Sequence, residues 1–73
     1  MTIDEFMRDI APKMRPGWVA MDGSKRWFWY SNMPISIKRL KYWTWNGNVK
    51  SYPLVFDIDP VEDWTKSLRK VGE

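Results

Sequence analysis

The N-terminal segment has hydrophobic residues at helical spacing. They fall at i, i+3, i+4, i+7 and i+11 and form one apolar stripe: Ile3, Phe6, Met7, Ile10 and Met14. Thr2 and Glu5 match a capping box, in which the Thr hydroxyl accepts from the Glu5 amide and the Glu carboxylate accepts from the Thr amide. Because Pro12 has no N–H and disfavours a helical residue before it, the pattern predicts a helix that ends near Ile10.

From Trp18 to about Ile58 the pattern changes to aromatic and β-branched runs, which are typical of strands. Trp18–Met21 and Arg26–Tyr30 flank the turn-forming residues Asp22–Lys25. This arrangement predicts a first β-hairpin.

A second hairpin is predicted further along the chain, because Tyr42–Trp45 and Val49–Tyr52 flank Asn46-Gly47-Asn48. Asn-Gly is the preferred pair for a type I′ turn, in which both central residues need positive φ. Before this hairpin, Ile35–Arg39 fits either a short edge strand or an ordered loop. After it, Pro53 cannot donate to a β-ladder, so the last strand is either an edge strand or bulged at that point.

The C-terminal segment has the features of a second helix. Asp59 supplies an N-cap, Pro60 occupies the first helical position, and Gly72 provides a stop. The predicted apolar stripe consists of Val61, Trp64, Leu68 and Val71. The elements together predict one small α+β domain over residues 1–73. Its core is an antiparallel three- or four-stranded β-meander flanked by an N-terminal and a C-terminal helix.

Composition argues against catalysis. The chain contains no cysteine and no histidine, so the commonest general base, the commonest metal ligand and the thiol nucleophile are all missing. Ser67–Lys70 matches the S-x-x-K pattern of serine acyl-transfer enzymes, but those enzymes need further motifs and a large cleft. We therefore expect no enzymatic activity, no cofactor and no metal site.

The cellular location is predicted from the length of the apolar runs and from the charge of the first residues. The longest apolar runs are four residues, whereas a membrane span needs about 20. The first residues are acidic, unlike the basic start of a secretory signal. We expect a soluble cytoplasmic protein that does not enter a membrane.

The centre of the chain is both basic and aromatic. Residues 10–56 contain eight Lys or Arg and a single Asp, which gives this segment a charge of +7, whereas the whole chain carries +3. The chain also contains six tryptophans among its 73 residues. Large aromatic rings help a small domain to bury enough surface, so a purely structural role in the core is one interpretation of these rings.

Two binding functions are the other interpretations of this centre. The first is a protein-interaction module that uses aromatic residues on the sheet face, either with a different protein or by self-association. The second is single-stranded nucleic-acid binding, in which cations contact phosphates and rings stack on bases. The candidate binding residues are Arg26, Trp27, Trp29, Lys38, Arg39, Lys41, Trp43 and Trp45.

The order of these segments resembles a group of small phage and prophage proteins. The likeness is carried by Gly17–Asp22, Trp27–Tyr30, Pro34, the Trp-rich second hairpin and Asp59–Trp64, and so covers nearly the whole chain. The resemblance implies an accessory protein of a mobile element, made in a bacterial cytoplasm, that acts by binding host or phage components. It supplies no catalytic residues.

Overall fold

A computed structural model describes residues 1–45, 47 and 49–72 of the chain. One α-helix, α1, spans Ile3–Asp9, and two short 3₁₀ helices span Ala11–Lys13 and Trp64–Lys66. The strands are β1 (Gly17–Met21), β2 (Trp27–Tyr30), β3 (Ile35–Ile37), β4 (Tyr42–Thr44), β5 (Ser51–Pro53) and β6 (Arg69–Val71). The predicted α+β class is therefore confirmed. None of the described helices is long and apolar enough to cross a membrane.

Helix α1 begins and ends as predicted. The Glu5 amide donates to Thr2 Oγ1 at 3.1 Å, and the Thr2 amide donates to Glu5 Oε1 at 2.8 Å, which completes the capping box. At the other end, Ile10 is the C-cap and its amide donates to the Phe6 carbonyl at 2.9 Å. The chain then tightens into the 3₁₀ turn that contains Pro12.

A four-stranded antiparallel sheet forms the centre of the fold, in the order β5-β2-β1-β6. The first hairpin is confirmed, since β1 pairs with β2 and Met21 lies opposite Trp27. Its turn is closed by a hydrogen bond of 2.9 Å from the Lys25 amide to the Asp22 carbonyl. Strand β5 lies at one edge, which is one of the two alternatives predicted for a strand that contains Pro53.

The second predicted hairpin is wrong in its pairing. Strand β4 pairs with β3 in a separate two-stranded sheet, and β5 pairs with β2, so the order is not that of a meander. Ile35–Ile37 is thus a strand, and the alternative of a loop is discarded for these residues. Asn46 and Asn48 of the expected type I′ turn lie outside the described residues. The pairing of β5 with β2, rather than with β4, is favoured because it places Tyr52 against the buried Trp29, with ring centroids 5.6 Å apart.

The predicted C-terminal helix is also wrong. Its sequence forms the 3₁₀ turn Trp64–Lys66 and then strand β6, which pairs with β1. Asp63, rather than Asp59, caps the turn by accepting from the Thr65 amide at 3.0 Å. Gly72 follows a strand, and its positive φ of 75° turns the chain so that its amide reaches the Ala11 carbonyl at 3.0 Å. The local helix signals do not determine the structure of this segment. Strand β6 forms instead because its pairing with β1 satisfies main-chain groups of β1 that would otherwise be unpaired.

Each face of the main sheet packs against its own hydrophobic cluster. One face carries Val19, Met21, Trp27 and Trp29 and is covered by Ile3 and Phe6 of α1. The opposite face carries Ala20 and Tyr30 and is covered by Trp43 of β4. The small β3–β4 sheet therefore covers the second face of the main sheet.

Candidate interaction surfaces

Three of the four candidate tryptophans are part of the hydrophobic core. Trp27, Trp29 and Trp43 are 6%, 5% and 7% exposed, respectively. The Trp29 indole N–H donates to the Arg15 carbonyl at 3.3 Å, and the Trp43 indole N–H donates to the Met21 carbonyl at 3.0 Å. Their rings are thus fixed inside the fold, and the faces needed to stack on a base are already covered.

The basic candidates lie together at the surface, on two turns that touch. Lys38, Arg39 and Lys41 are exposed in the turn between β3 and β4, and the Lys41 carbonyl accepts from the Gly23 amide at 2.8 Å. Gly23 belongs to the β1–β2 turn, which also exposes Lys25 and leads into the exposed Arg26. We call these two turns, which carry the five exposed cations Lys25, Arg26, Lys38, Arg39 and Lys41, the basic turns. Trp45, the fourth candidate tryptophan, is half-buried and packs with the Tyr30 ring at 5.7 Å.

Asp22 anchors the β1–β2 turn to the small sheet. Its Oδ1 accepts from the Trp43 amide at 3.2 Å, which adds a side-chain link between the two sheets. Burial raises the pKa of Asp22 above its usual value, while the Trp43 hydrogen bond and the attraction of Arg26 oppose that rise. Asp22 is consequently a carboxylate held in a partly dry position beside aromatic rings.

An exposed apolar surface that sequence analysis missed follows strand β5. Val55 is 91% exposed, and the neighbouring rings of Tyr52 and Phe56 are 50% and 37% exposed. We call these three residues the Val55 surface. Beside it lies a cavity of about 270 Å³, whose lining includes Met14, Arg15, Trp29, Leu54 and residues of the Val55 surface. The signal in the sequence is the run Leu54-Val55-Phe56, because three consecutive apolar residues cannot all point into a core from an extended chain.

Each aromatic ring of the Val55 surface packs on a buried aromatic ring. Tyr52 stacks on Trp29 with an interplanar angle of 23°. Phe56 meets the Phe6 ring edge-on, with centroids 5.6 Å apart. Both exposed rings therefore rest on buried ones, so they lose little side-chain freedom when something docks on them.

Strand β5 is a poor template for an added strand. The Leu54 amide donates to the Trp27 carbonyl at 2.9 Å, which turns the main-chain groups of Leu54 toward β2. By antiparallel alternation, the groups of Ser51 and Pro53 face away from the sheet. Pro53 has no N–H, so the free edge has lost one of its donors. Any partner at this edge must be bound mainly by side-chain contacts.

The residues of the S-x-x-K pattern have structural roles. Ser67 is fully buried, and its Oγ accepts from the Met21 amide at 2.8 Å. Lys70 lies elsewhere, with its Nζ 6.0 Å from the centre of the Trp18 ring. The pair therefore lacks the geometry of an activated nucleophile. Among the described residues, no group of three or more His, Cys, Asp or Glu is arranged to hold a metal ion.

The assignment of a function must come from these surfaces, because comparison of the chain with protein-family models, with curated proteins and with solved structures gives no match.

Proposed function

We propose that this protein is a non-catalytic interaction module that binds a different protein through the Val55 surface. The observation that carries the proposal is the 91% exposure of Val55, a β-branched apolar side chain set between two exposed aromatic rings. Contiguous exposed apolar groups on a small protein are typical of interaction sites, and aromatic residues are frequent anchors of such sites. The role as a mobile-element accessory protein, implied by the resemblance, remains a prediction.

The surface indicates the chemistry of its partner. The adjoining cavity of about 270 Å³ is almost entirely apolar and has room for one large apolar side chain. Arg15 lines the same cavity, and its guanidinium is suited to a carboxylate on the partner. We therefore expect a partner segment that presents an apolar anchor residue next to an acidic one.

The test compares two substitutions of exposed apolar residues. Val55→Asp places a charge in the middle of the surface, whereas Met33→Asp places the same charge at a residue that is 59% exposed and outside the surface. Proteins captured from the native host by the wild-type chain are identified, purified and titrated against all three chains. We expect one purified protein whose Kd rises by at least about tenfold with Val55→Asp and is unchanged with Met33→Asp.

Two results would contradict the proposal. The first is a purified partner that binds Val55→Asp and wild type equally. The second is a wild-type dimer in sedimentation that Val55→Asp converts to monomer, because the surface would then be used for self-association.

A second candidate function, single-stranded nucleic-acid binding, is favoured by the basic turns. Their five exposed cations project from two contacting turns, and Tyr42, which is 41% exposed, lies directly after Lys41. The proposed contacts are phosphates with these cations and a base with Tyr42 or Trp45, since the other candidate tryptophans are buried.

This candidate is tested by titrating a mixed-sequence oligonucleotide and following tryptophan fluorescence. Log K should fall with log salt by about 0.7 for each phosphate contact. Arg39→Glu should weaken binding, whereas Lys13→Glu, an exposed charge reversal on the first 3₁₀ helix, should have a much smaller effect. Equal effects of the two reversals, or no binding at low salt, would reject the candidate.

A further inference from the structure

The second face of the main sheet contains a pocket walled by aromatic rings. Its walls include two residues of β2, Phe28 and Tyr30, and two residues of β4, Tyr42 and Trp43. The fifth ring is that of Trp45, which lies just after β4. The cavity has a volume of about 230 Å³. Tyr30 and Trp43 are buried and form its base, while Tyr42 is exposed and stands at its mouth. The pocket lies on the opposite face of the sheet from the Val55 surface, so binding of a ligand here is independent of binding of a partner there.

A carboxylate completes the pocket. Asp22 is the one charged residue in the described lining, and Ser51 is a further polar one. The hydrogen bond from the Trp43 amide occupies Asp22 Oδ1 and fixes the orientation of the carboxylate, while Oδ2 remains an acceptor. A negative charge is therefore held beside the faces and edges of several aromatic rings.

We propose that this pocket binds a methylated ammonium cation. The faces of aromatic rings carry partial negative charge and attract cations, and a cluster of such rings is the usual recognition site for quaternary ammonium groups. A methylated ammonium is weakly hydrated, and its positive charge is surrounded by methyl groups. It can therefore pack against an apolar wall and be attracted by a carboxylate at the same time. A neutral apolar group would make no use of Asp22, and an anion would be repelled by it.

One ring of the pocket, Phe28, already packs with a cation of the protein. The Arg26 guanidinium carbon lies 5.6 Å from the centre of the Phe28 ring, which is one wall of the pocket. Arg26 itself is exposed and is not part of the lining. It leaves the cavity open to a separate cation, with which it competes for the charge of Asp22.

The experiment titrates the intact chain with choline and, separately, with its uncharged carbon isostere 3,3-dimethyl-1-butanol. Binding is followed through the indole N–H signals of the tryptophans by NMR. We expect choline to shift the Trp45 signal with a Kd in the millimolar range or lower, and the isostere to bind at least about tenfold more weakly. Equal binding of the two probes, or no shift with choline at about 10 mM, would overturn the proposal.

Variants locate the site. Tyr42→Leu removes a ring at the mouth, and Asp22→Asn removes the charge while keeping an oxygen that can accept from the Trp43 amide. Each should weaken choline binding by about fivefold or more. The matched control is Tyr52→Leu on the opposite face, which should leave choline binding unchanged; Tyr52 is 50% exposed and Tyr42 is 41% exposed. A loss with Tyr52→Leu and none with Tyr42→Leu would place the site elsewhere and overturn the proposal.

The source of the cation is distinguished by a second pair of probes. A peptide with one trimethyllysine is compared with the same peptide unmodified, alongside free choline. Tighter binding of the modified peptide than of choline assigns the pocket to a protein-borne group, and tighter binding of choline assigns it to a small metabolite. Binding of the unmodified peptide as tightly as the modified one would overturn the proposal, because methylation would then contribute nothing.

Discussion

The Ser67 side chain takes the place of a strand residue opposite Met21. Strand β6 pairs with β1 up to Arg69, which faces Val19, and continuation of that register would place residue 67 opposite Met21. The chain has already left the strand there, but Ser67 Oγ accepts from the Met21 amide at 2.8 Å and lies 3.2 Å from the Met21 carbonyl oxygen. It also lies 2.6 Å from the Trp64 carbonyl oxygen, so one hydroxyl joins the sheet to the second 3₁₀ turn.

This relationship predicts that Ser67→Ala is destabilising although it removes only one atom. The Met21 amide would remain buried without an acceptor, which costs about 1–3 kcal/mol of the free energy of unfolding. The measurement is urea denaturation, with Ser24→Ala as control because Ser24 is exposed in the first turn. A Ser67→Ala chain as stable as the control would show that the hydrogen bond does not contribute as stated.

The left-handed backbone of Lys25 gives a second prediction. Lys25 has a φ of 71°, which is a conformation that suits glycine and costs a residue with a Cβ atom about 1–2 kcal/mol. Lys25→Gly should therefore raise the free energy of unfolding by about 1 kcal/mol, after allowance for the greater freedom of glycine in the unfolded chain.

Lys25→Ala separates the backbone effect from the loss of charge, because alanine keeps the Cβ atom. We expect this control to have nearly the stability of wild type in the same urea titration. A similar gain from Lys25→Ala and Lys25→Gly would attribute the effect to charge repulsion among the basic turns.

Helix α1 and the first hairpin could be predicted because their signals are local. The capping box, the stop at Pro12 and the turn Asp22–Lys25 each depend on residues within a few positions of one another. The pairing of β5 with β2 and of β6 with β1 depends on which sheet edges remain free after the hairpin has formed. Nothing in the local pattern of Ser51–Pro53 or Arg69–Val71 encodes that choice. The strands that pair with β5 and β6 therefore could not be predicted from the sequence.

The candidate site divides in the same way. Exposure of the basic residues follows from their charge, and all four predicted cations are at the surface. Exposure of an aromatic residue depends on what covers its face of the sheet. Trp43 of β4 is buried because it packs against Ala20 and Tyr30 of the main sheet, whereas Tyr52 next to β2 has no such cover. The exposure of the predicted cations is therefore confirmed, whereas three of the four predicted tryptophans belong to the core.

The indole groups of Trp27 and Trp43 give a third prediction. Both rings are buried, but the Trp43 N–H donates to the Met21 carbonyl at 3.0 Å, whereas Trp27 Nε1 has no hydrogen-bond partner among the described residues. Substitution by Phe shortens both rings alike and leaves a cavity at each site. Trp43→Phe also removes a hydrogen bond, while Trp27→Phe removes an unpaired donor, so Trp43→Phe should be more destabilising by about 1–2 kcal/mol. Urea denaturation of the two variants decides, and an equal or reversed order would contradict the account.

The capping box gives the last prediction, which concerns pH. Hydrogen bonds from the Thr2 amide and hydroxyl hold the pKa of Glu5 below its usual value of 4.5, with smaller contributions from the N-terminal amine and Arg8. Because the folded-state pKa is lowered, the ionised Glu5 stabilises the fold at pH values above 4.5, and this contribution is lost as the pH falls through the lowered pKa.

Glu5→Gln isolates this effect, since glutamine keeps an acceptor for the Thr2 amide but does not titrate. We expect wild type to be more stable than Glu5→Gln at pH 7, and the difference to shrink from about pH 5 downward and vanish at strongly acidic pH. The free energy of unfolding of both chains is measured in urea across this range, and NMR titration of the Glu5 carboxylate gives its pKa directly. A stability difference that does not change with pH would mean that the capping box acts through its geometry alone and that the charge of Glu5 contributes nothing.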